Sequence, residues 1–117
     1  MKNKVLGFIG GGYRGRMIAL SASHLGVKSY IFDPSNNSPA FDIASKVFNY
    51  KYDDIEAIKK FSESVDSVVY EFENIPINTA KIIESICPLR PSAKVLEISQ
   101  DRLIEKKFLS NIAKVKT

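Results

Sequence analysis

Tryptophan is absent, and cysteine and histidine occur once each, as Cys87 and His24. A lone cysteine excludes an internal disulfide and agrees with a reducing compartment. Standing before Pro88, it reads as packing rather than as a nucleophile. One histidine with no thiol nearby builds no common metal site, so none is expected. No Ser-His-Asp or Cys-His set is legible. Long apolar runs are also missing. Nothing approaches the ~18 residues of a membrane span. The run Val5 to Ile9, after Met1-Lys2-Asn3-Lys4, is too short for a signal-peptide core. A cytoplasmic chain without membrane contact is the expectation. Basic blocks are missing too. The net charge is +4, but the 17 lysines and arginines are scattered, with only Lys59-Lys60 and Lys106-Lys107 adjacent. That pattern reads as a basic surface, with no nucleic-acid partner.

What is present fills one domain. The chain has 117 residues, 44% of them apolar, and tyrosine and phenylalanine carry all the aromatic packing. Lys4 to Ile9 reads as a strand apolar on both faces, as a central parallel strand is. A glycine turn follows. A helix runs from Tyr13 to Leu25 with Met17, Ile18, Leu20, Ala22 and Leu25 as its apolar stripe, and Gly26 stops it. Val27 to Phe32 is a second strand, and Ala40 to Ser45 a short helix with Phe41 and Ala44 inward. Lys46 to Tyr50 is a third strand. Asp53 or Asp54 caps a helix whose inner face is Ile55, Ile58, Phe61 and Val65. Ser67 to Phe72 is a fourth strand. Pro76 opens a helix with Ala80, Ile83 and Ile86 inside. Cys87 to Pro91 is extended, Ser92 caps a brief helix through Ile98, and a last helix runs from Arg102 to about Ile112. Strand and helix alternate, which predicts an α/β fold: a parallel sheet with helices on both faces.

Four stretches carry chemistry. Gly10-Gly11-Gly12-Tyr13-Arg14-Gly15 has the G-x-G-x-x-G spacing between a strand and a helix, where free N–H groups hold an anion. A tight structural turn is the alternative. Asp33 ends the second strand; it suits a ribose 2′-OH in a dinucleotide-binding fold or an Asx-type turn. Glu71 and Glu73 share a face at the carboxyl end of a strand, the edge where ligands bind in open α/β sheets. They suit an amine, a sugar hydroxyl or a cation, or else they cap the next helix. Arg102 and Lys106 put cations on one face of the last helix, for a phosphate or for solvent.

Together these stretches resemble one family. Ile9-Gly10-Gly11-Gly12-Tyr13-Arg14-Gly15-Arg16-Met17 is similar to I-G-G-G-Q-L-G-R-M, and Asp33-Pro34 with Ser38-Pro39-Ala40 to D-P-x(3)-S-P-A. Tyr52-Asp53-Asp54 matches Y-D-D, and Glu71-Phe72-Glu73-Asn74-Ile75 matches E-F-E-N-[IV]. Arg90-Pro91-Ser92 and Gln100-Asp101-Arg102 through Leu109 resemble R-P-S and Q-D-R-x-x-E-K-x-F-L. The family is N5-carboxyaminoimidazole ribonucleotide synthase, an ATP-grasp ligase of purine biosynthesis. The resemblance implies a Rossmann-like, pre-ATP-grasp fold. It implies ATP and Mg²⁺ as cofactors, bicarbonate and 5-aminoimidazole ribonucleotide as substrates, and a homodimer. It implies substrate contacts at Tyr13, Arg14 and Glu71 and an ATP contact at Arg102; the neighbouring Gly12 and Glu73 join the substrate-binding candidates, and Lys106 is a weaker candidate for ATP.

Two departures stand out. Tyr13-Arg14 replaces Gln-Leu, although Arg14 can pair with a phosphate. The family also continues past Thr117 into an ATP-grasp domain. Residues 1–100 are therefore expected to be the pre-ATP-grasp domain and 101–117 a helix leading onward. The ATP-grasp part would be lost, split off or supplied by another chain, and the 117 residues inactive alone. Two readings stay beside this one: an NAD-binding Rossmann domain of an oxidoreductase, and a stand-alone, non-catalytic interaction domain.

Overall fold

The computed structural model describes residues 4–70, 75–98 and 100. Five parallel strands form one sheet in the order β3-β2-β1-β4-β5. They are β1 (Val5–Ile9), β2 (Lys28–Phe32), β3 (Lys46–Phe48), β4 (Ser67–Tyr70) and β5 (Leu89–Arg90). Helices α1 (Tyr13–His24), α2 (Ile55–Ser64) and α3 (Ile77–Glu84) connect them, with a 3₁₀ turn at Pro39–Asp42. Residues 93–98 are helical again. The expected strand through Phe72 and helix from Arg102 extend into residues outside those described. Among the described residues no helix is long and apolar enough to cross a membrane.

The central strand explains the two-sided core. Parallel pairing sets Phe8 beside Ile31 and Val69, and Ile9 beside Phe32 and Tyr70. Successive side chains point to opposite faces. Phe8 and Ile31 therefore pack on one face with Ala40, Ile18 and Phe41. Ile9 and Phe32 join the larger cluster with Ile58, Phe61, Ile83, Leu89 and Leu96 on the other. Helices cover both faces, as the alternating pattern requires. Phe32 stacks on Phe48 and meets Phe61 edge-on with centroids 5.4 Å apart, so phenylalanine supplies the bulk that tryptophan would elsewhere.

Helix α1 departs from its apolar stripe. Met17 is 66% exposed and Leu25 80%, whereas Gly15, Ala19 and Ala22 are buried. The helix lies too close to the sheet for large side chains. A Cβ on Gly15 would stand 2.2 Å from the Gly10 carbonyl oxygen. Small residues at i, i+4 and i+7 therefore make the buried face, Ile18 packs half-buried beside it, and Met17, Leu20 and Leu25 turn outward. The helix ends as expected. Gly26 takes φ 75°, Val27 N–H donates to Ala22 C=O and Gly26 N–H to Ser23 C=O, a Schellman closure.

Other boundaries are local adjustments. The short helix after Pro39 is a single 3₁₀ turn with Phe41 and Ala44 partly buried. The third strand stops at Phe48. Ile86 is exposed because α3 ends at Glu84. The extended piece after Cys87 contributes the fifth strand. Asp54 caps α2, accepting from Ala57 N–H at 3.2 Å, and Ser92 Oγ accepts from Val95 N–H.

Candidate functional site

The connection after β1 crosses one face of the sheet to β2, and that after β3 covers the other face and leads to β4. The topological switch point thus lies between β1 and β4, where open α/β sheets bind ligands at their carboxyl edge. The glycine turn stands there. Gly10 takes φ 113°, open to glycine at low cost, and its N–H donates to Phe32 C=O. Gly12 is the N-cap of α1; it has no side chain to cap with, and the first turn holds no acid. Among the described residues no side chain accepts from the N–H groups of Gly12, Tyr13 or Gly15. These N–H groups and the helix dipole favour an anion.

A cavity of about 370 Å³ opens against this helix end. Gly10, Gly12, Tyr13, Arg14 and Gly15 line one side, and Phe8, Asp33 and Tyr52 the rest. Tyr13 is 77% exposed, at the mouth. Tyr52 stacks beside Phe32 at 6.1 Å, and its carbonyl accepts from Thr79 Oγ1, so the loop after β3 is fixed as a wall. A larger cavity, about 520 Å³, lies at the opposite, amino end of the strands between Leu6, Met17, Leu25 and Val27. Its surface is mostly apolar, with Lys4, Ser21, Asp66 and Ser67 also on its lining.

Asp33 is the best-anchored group at the site. Only 8% exposed, it accepts from Gly11 N–H through Oδ2 at 2.5 Å and from Ser35 N–H through Oδ1 at 2.7 Å. The second bond is the Asx turn read from the sequence. Each oxygen thus accepts one backbone N–H, while Asp33 also lines the cavity. Asn49 Nδ2 clamps the same loop through Asp33 C=O and Ser35 C=O. Gly11 C=O accepts from Ala40 N–H, and Arg16 reaches Pro39 C=O.

The structure thus gathers Gly12, Tyr13 and Arg14 at one cavity. Glu71 and Glu73 follow directly on β4, and Arg102 and Lys106 belong to the last segment; all four lie outside the described residues. Tyr52, Ser38 and Asn49 gained no role from sequence reasoning. The readable signal was an aromatic and a carboxamide just past the carboxyl end of a strand, where ligands sit. Among the described residues no group of three or more His, Cys, Asp or Glu could hold a metal ion.

A family model described as the ribonucleotide synthetase preATP-grasp domain matches residues 1–100. The chain belongs to this family. N5-carboxyaminoimidazole ribonucleotide synthase of Brucella melitensis is 42% identical over 106 residues, which span 90% of this chain and 29% of the relative. The Bacillus subtilis enzyme of that name is 37% identical, spanning 92% and 28%. Among solved structures, N5-carboxyaminoimidazole ribonucleotide synthetase from Thermus thermophilus superposes with a TM-score of 0.77 at 40% identity, covering 92% of this chain and 30% of that one. N5-carboxyaminoimidazole synthetase from Staphylococcus aureus, complexed with ADP, gives 0.81 at 34%, covering 95% and 31%. This preATP-grasp chain therefore spans about 30% of the length of its relatives.

Proposed function

We propose that this chain is the substrate-side domain of an N5-carboxyaminoimidazole ribonucleotide synthase, and that its glycine turn holds the phosphorylated ribose of 5-aminoimidazole ribonucleotide. The observation that carries this is the uncapped start of α1 opening onto a polar cavity at the switch point, with Arg14 on its wall. Backbone N–H groups and a guanidinium suit a phosphate, and a cavity of about 370 Å³ admits a mononucleotide. Gly12, Tyr13 and Arg14 are the contacts on this side. Glu71 and Glu73 supply acceptors for the amine and hydroxyls, and Arg102 with Lys106 reaches toward ATP.

The reaction joins bicarbonate to the exocyclic amine at the expense of ATP. Phosphoryl transfer needs positioned metal and several cations, a set the described residues do not assemble. ATP and Mg²⁺ are held in this reading by the remaining two thirds of a relative's length, supplied in cis or in trans, in a cytoplasmic homodimer. Meanwhile this domain's residues bind and orient the ribonucleotide and exclude water from its phosphate side.

An NAD-binding reading would set Asp33 on a ribose hydroxyl; the match of residues 1–100 to the ribonucleotide synthetase preATP-grasp domain favours the ribonucleotide over it. The test is a pair of titrations on the 117-residue chain. Aminoimidazole ribonucleotide should raise its melting temperature, and NADH should show no fluorescence enhancement. Enhanced NADH emission with no thermal shift from the ribonucleotide would sink the proposal.

A further inference from the structure

We infer that Asp33 is a positioning residue for the ligand's phosphate: its bond to Gly11 N–H holds the glycine loop in its anion-accepting form. This rests on the ribonucleotide reading above. An acid lining an anion site repels its ligand, so its place there calls for a role other than ligand contact. Here each oxygen accepts from a backbone N–H, one from Gly11 and one from Ser35.

The geometry says what the latch accomplishes. Gly11 is pinned on both sides, its N–H to Asp33 and its C=O to Ala40 N–H. In a trans peptide the C=O and the following N–H point in opposite directions. Fixing the Gly11 carbonyl toward Ala40 therefore aims the Gly12 N–H away from the 33–40 loop, on the side where Gly12 lines the cavity. Gly11 must lack a side chain for this, because a Cβ would stand 2.4 Å from Ser38 Cβ. The carboxylate thus shapes the loop for a phosphate.

The experiment follows backbone amides of the isotopically labelled full chain during titration with ribose 5-phosphate. In the wild type, the Gly12 and Tyr13 amides should shift with ligand while Gly11 N–H stays slowly exchanging, with and without it. In Asp33→Asn one acceptor oxygen becomes a donor. The Gly11 and Ser35 amides should then move upfield with the rest of the spectrum retained, and ribose 5-phosphate should bind roughly tenfold or more weakly. Equal binding by Asp33→Asn overturns the inference alone. Ligand that displaces the Gly11 bond, seen as lost protection on binding, overturns it without any variant, so an unfolded Asp33→Asn would not rescue it. No shift of any loop amide in the wild type overturns the ribonucleotide reading and this inference with it.

Discussion

Gly15 is the position where a single methyl group should cost most. Its Cβ would sit 2.2 Å from the Gly10 carbonyl oxygen, well inside the 3.0 Å that real Cβ atoms essentially respect, and 3.1 Å from the Phe8 ring. The first neighbour is backbone, held by the Gly10 N–H bond to Phe32 C=O, so it cannot swing aside as a side chain would. Relief requires α1 to lift off β1. Overpacking a close contact costs about 3 kcal/mol at the upper end of its usual range, and alanine's helix propensity returns about 1 kcal/mol. The net for Gly15→Ala is about 2 kcal/mol. Unfolding entropy of ~2.1 cal/mol/K per residue over 117 residues gives ~0.25 kcal/mol/K, so the melting temperature should fall by about 8 °C. Gly12→Ala is the control, because nothing lies within 4 Å of its Cβ. It forfeits only N-cap preference, under ~1 kcal/mol or ~4 °C. Calorimetry on the three proteins decides. A Gly15→Ala protein that melts within ~2 °C of the wild type refutes the claim that glycine is there for close helix–sheet approach.

Three further outcomes follow from other elements. Phe61 is fully buried, edge-on to Phe32 and Phe48 at 5.4 and 5.2 Å; Phe61→Ala should lose about 3–5 kcal/mol in urea unfolding with the denaturant slope unchanged. Asp54→Ala removes the cap on Ala57 N–H and should cost about 1 kcal/mol; an unshifted thermal melt would show the cap idle. Burial, with Glu84 nearby, pushes the Tyr70 phenol up to about 12. The unfolded chain's phenol ionises first, near ~10, so this contribution is whole below that pH. It declines between ~10 and ~12, by up to about 1.4 kcal/mol per pH unit. Tyr70→Phe should remove that slope, and parallel alkaline melts of the two proteins would contradict it.

The sequence pattern reveals elements wherever one local rule acts alone. The glycine turn, the stop at Gly26 and the cap at Asp54 are each written in two or three residues, and the structure uses them as read. The inner face of α2 is legible because Ile58 and Phe61 are large and meet a flat sheet. The face of α1 is not, because its depth is set by Gly15 against Gly10, a contact between backbones. Hydrophobicity then points to Met17 and Leu25, while proximity selects Ala19 and Ala22. The candidate site divides the same way. Gly12, Tyr13 and Arg14 are found by their motif. The Asx bond of Asp33 to Ser35 N–H is local and legible; its bond to Gly11 is not, because Gly11 lies 22 positions away and presents its N–H across the loop.

The sheet's margins are short. β3 offers three residues and β5 two, and β5 is flanked by Pro88 and Pro91, which have no N–H to donate. Edges so brief give an incoming strand almost no ladder to extend. Growth by strand addition, whether into a swapped dimer or a fibril, therefore finds little template among the described strands. Among the described residues, the surfaces that suit another protein or segment are the helix faces and the loops around the glycine turn, and docking there leaves the sheet as it is.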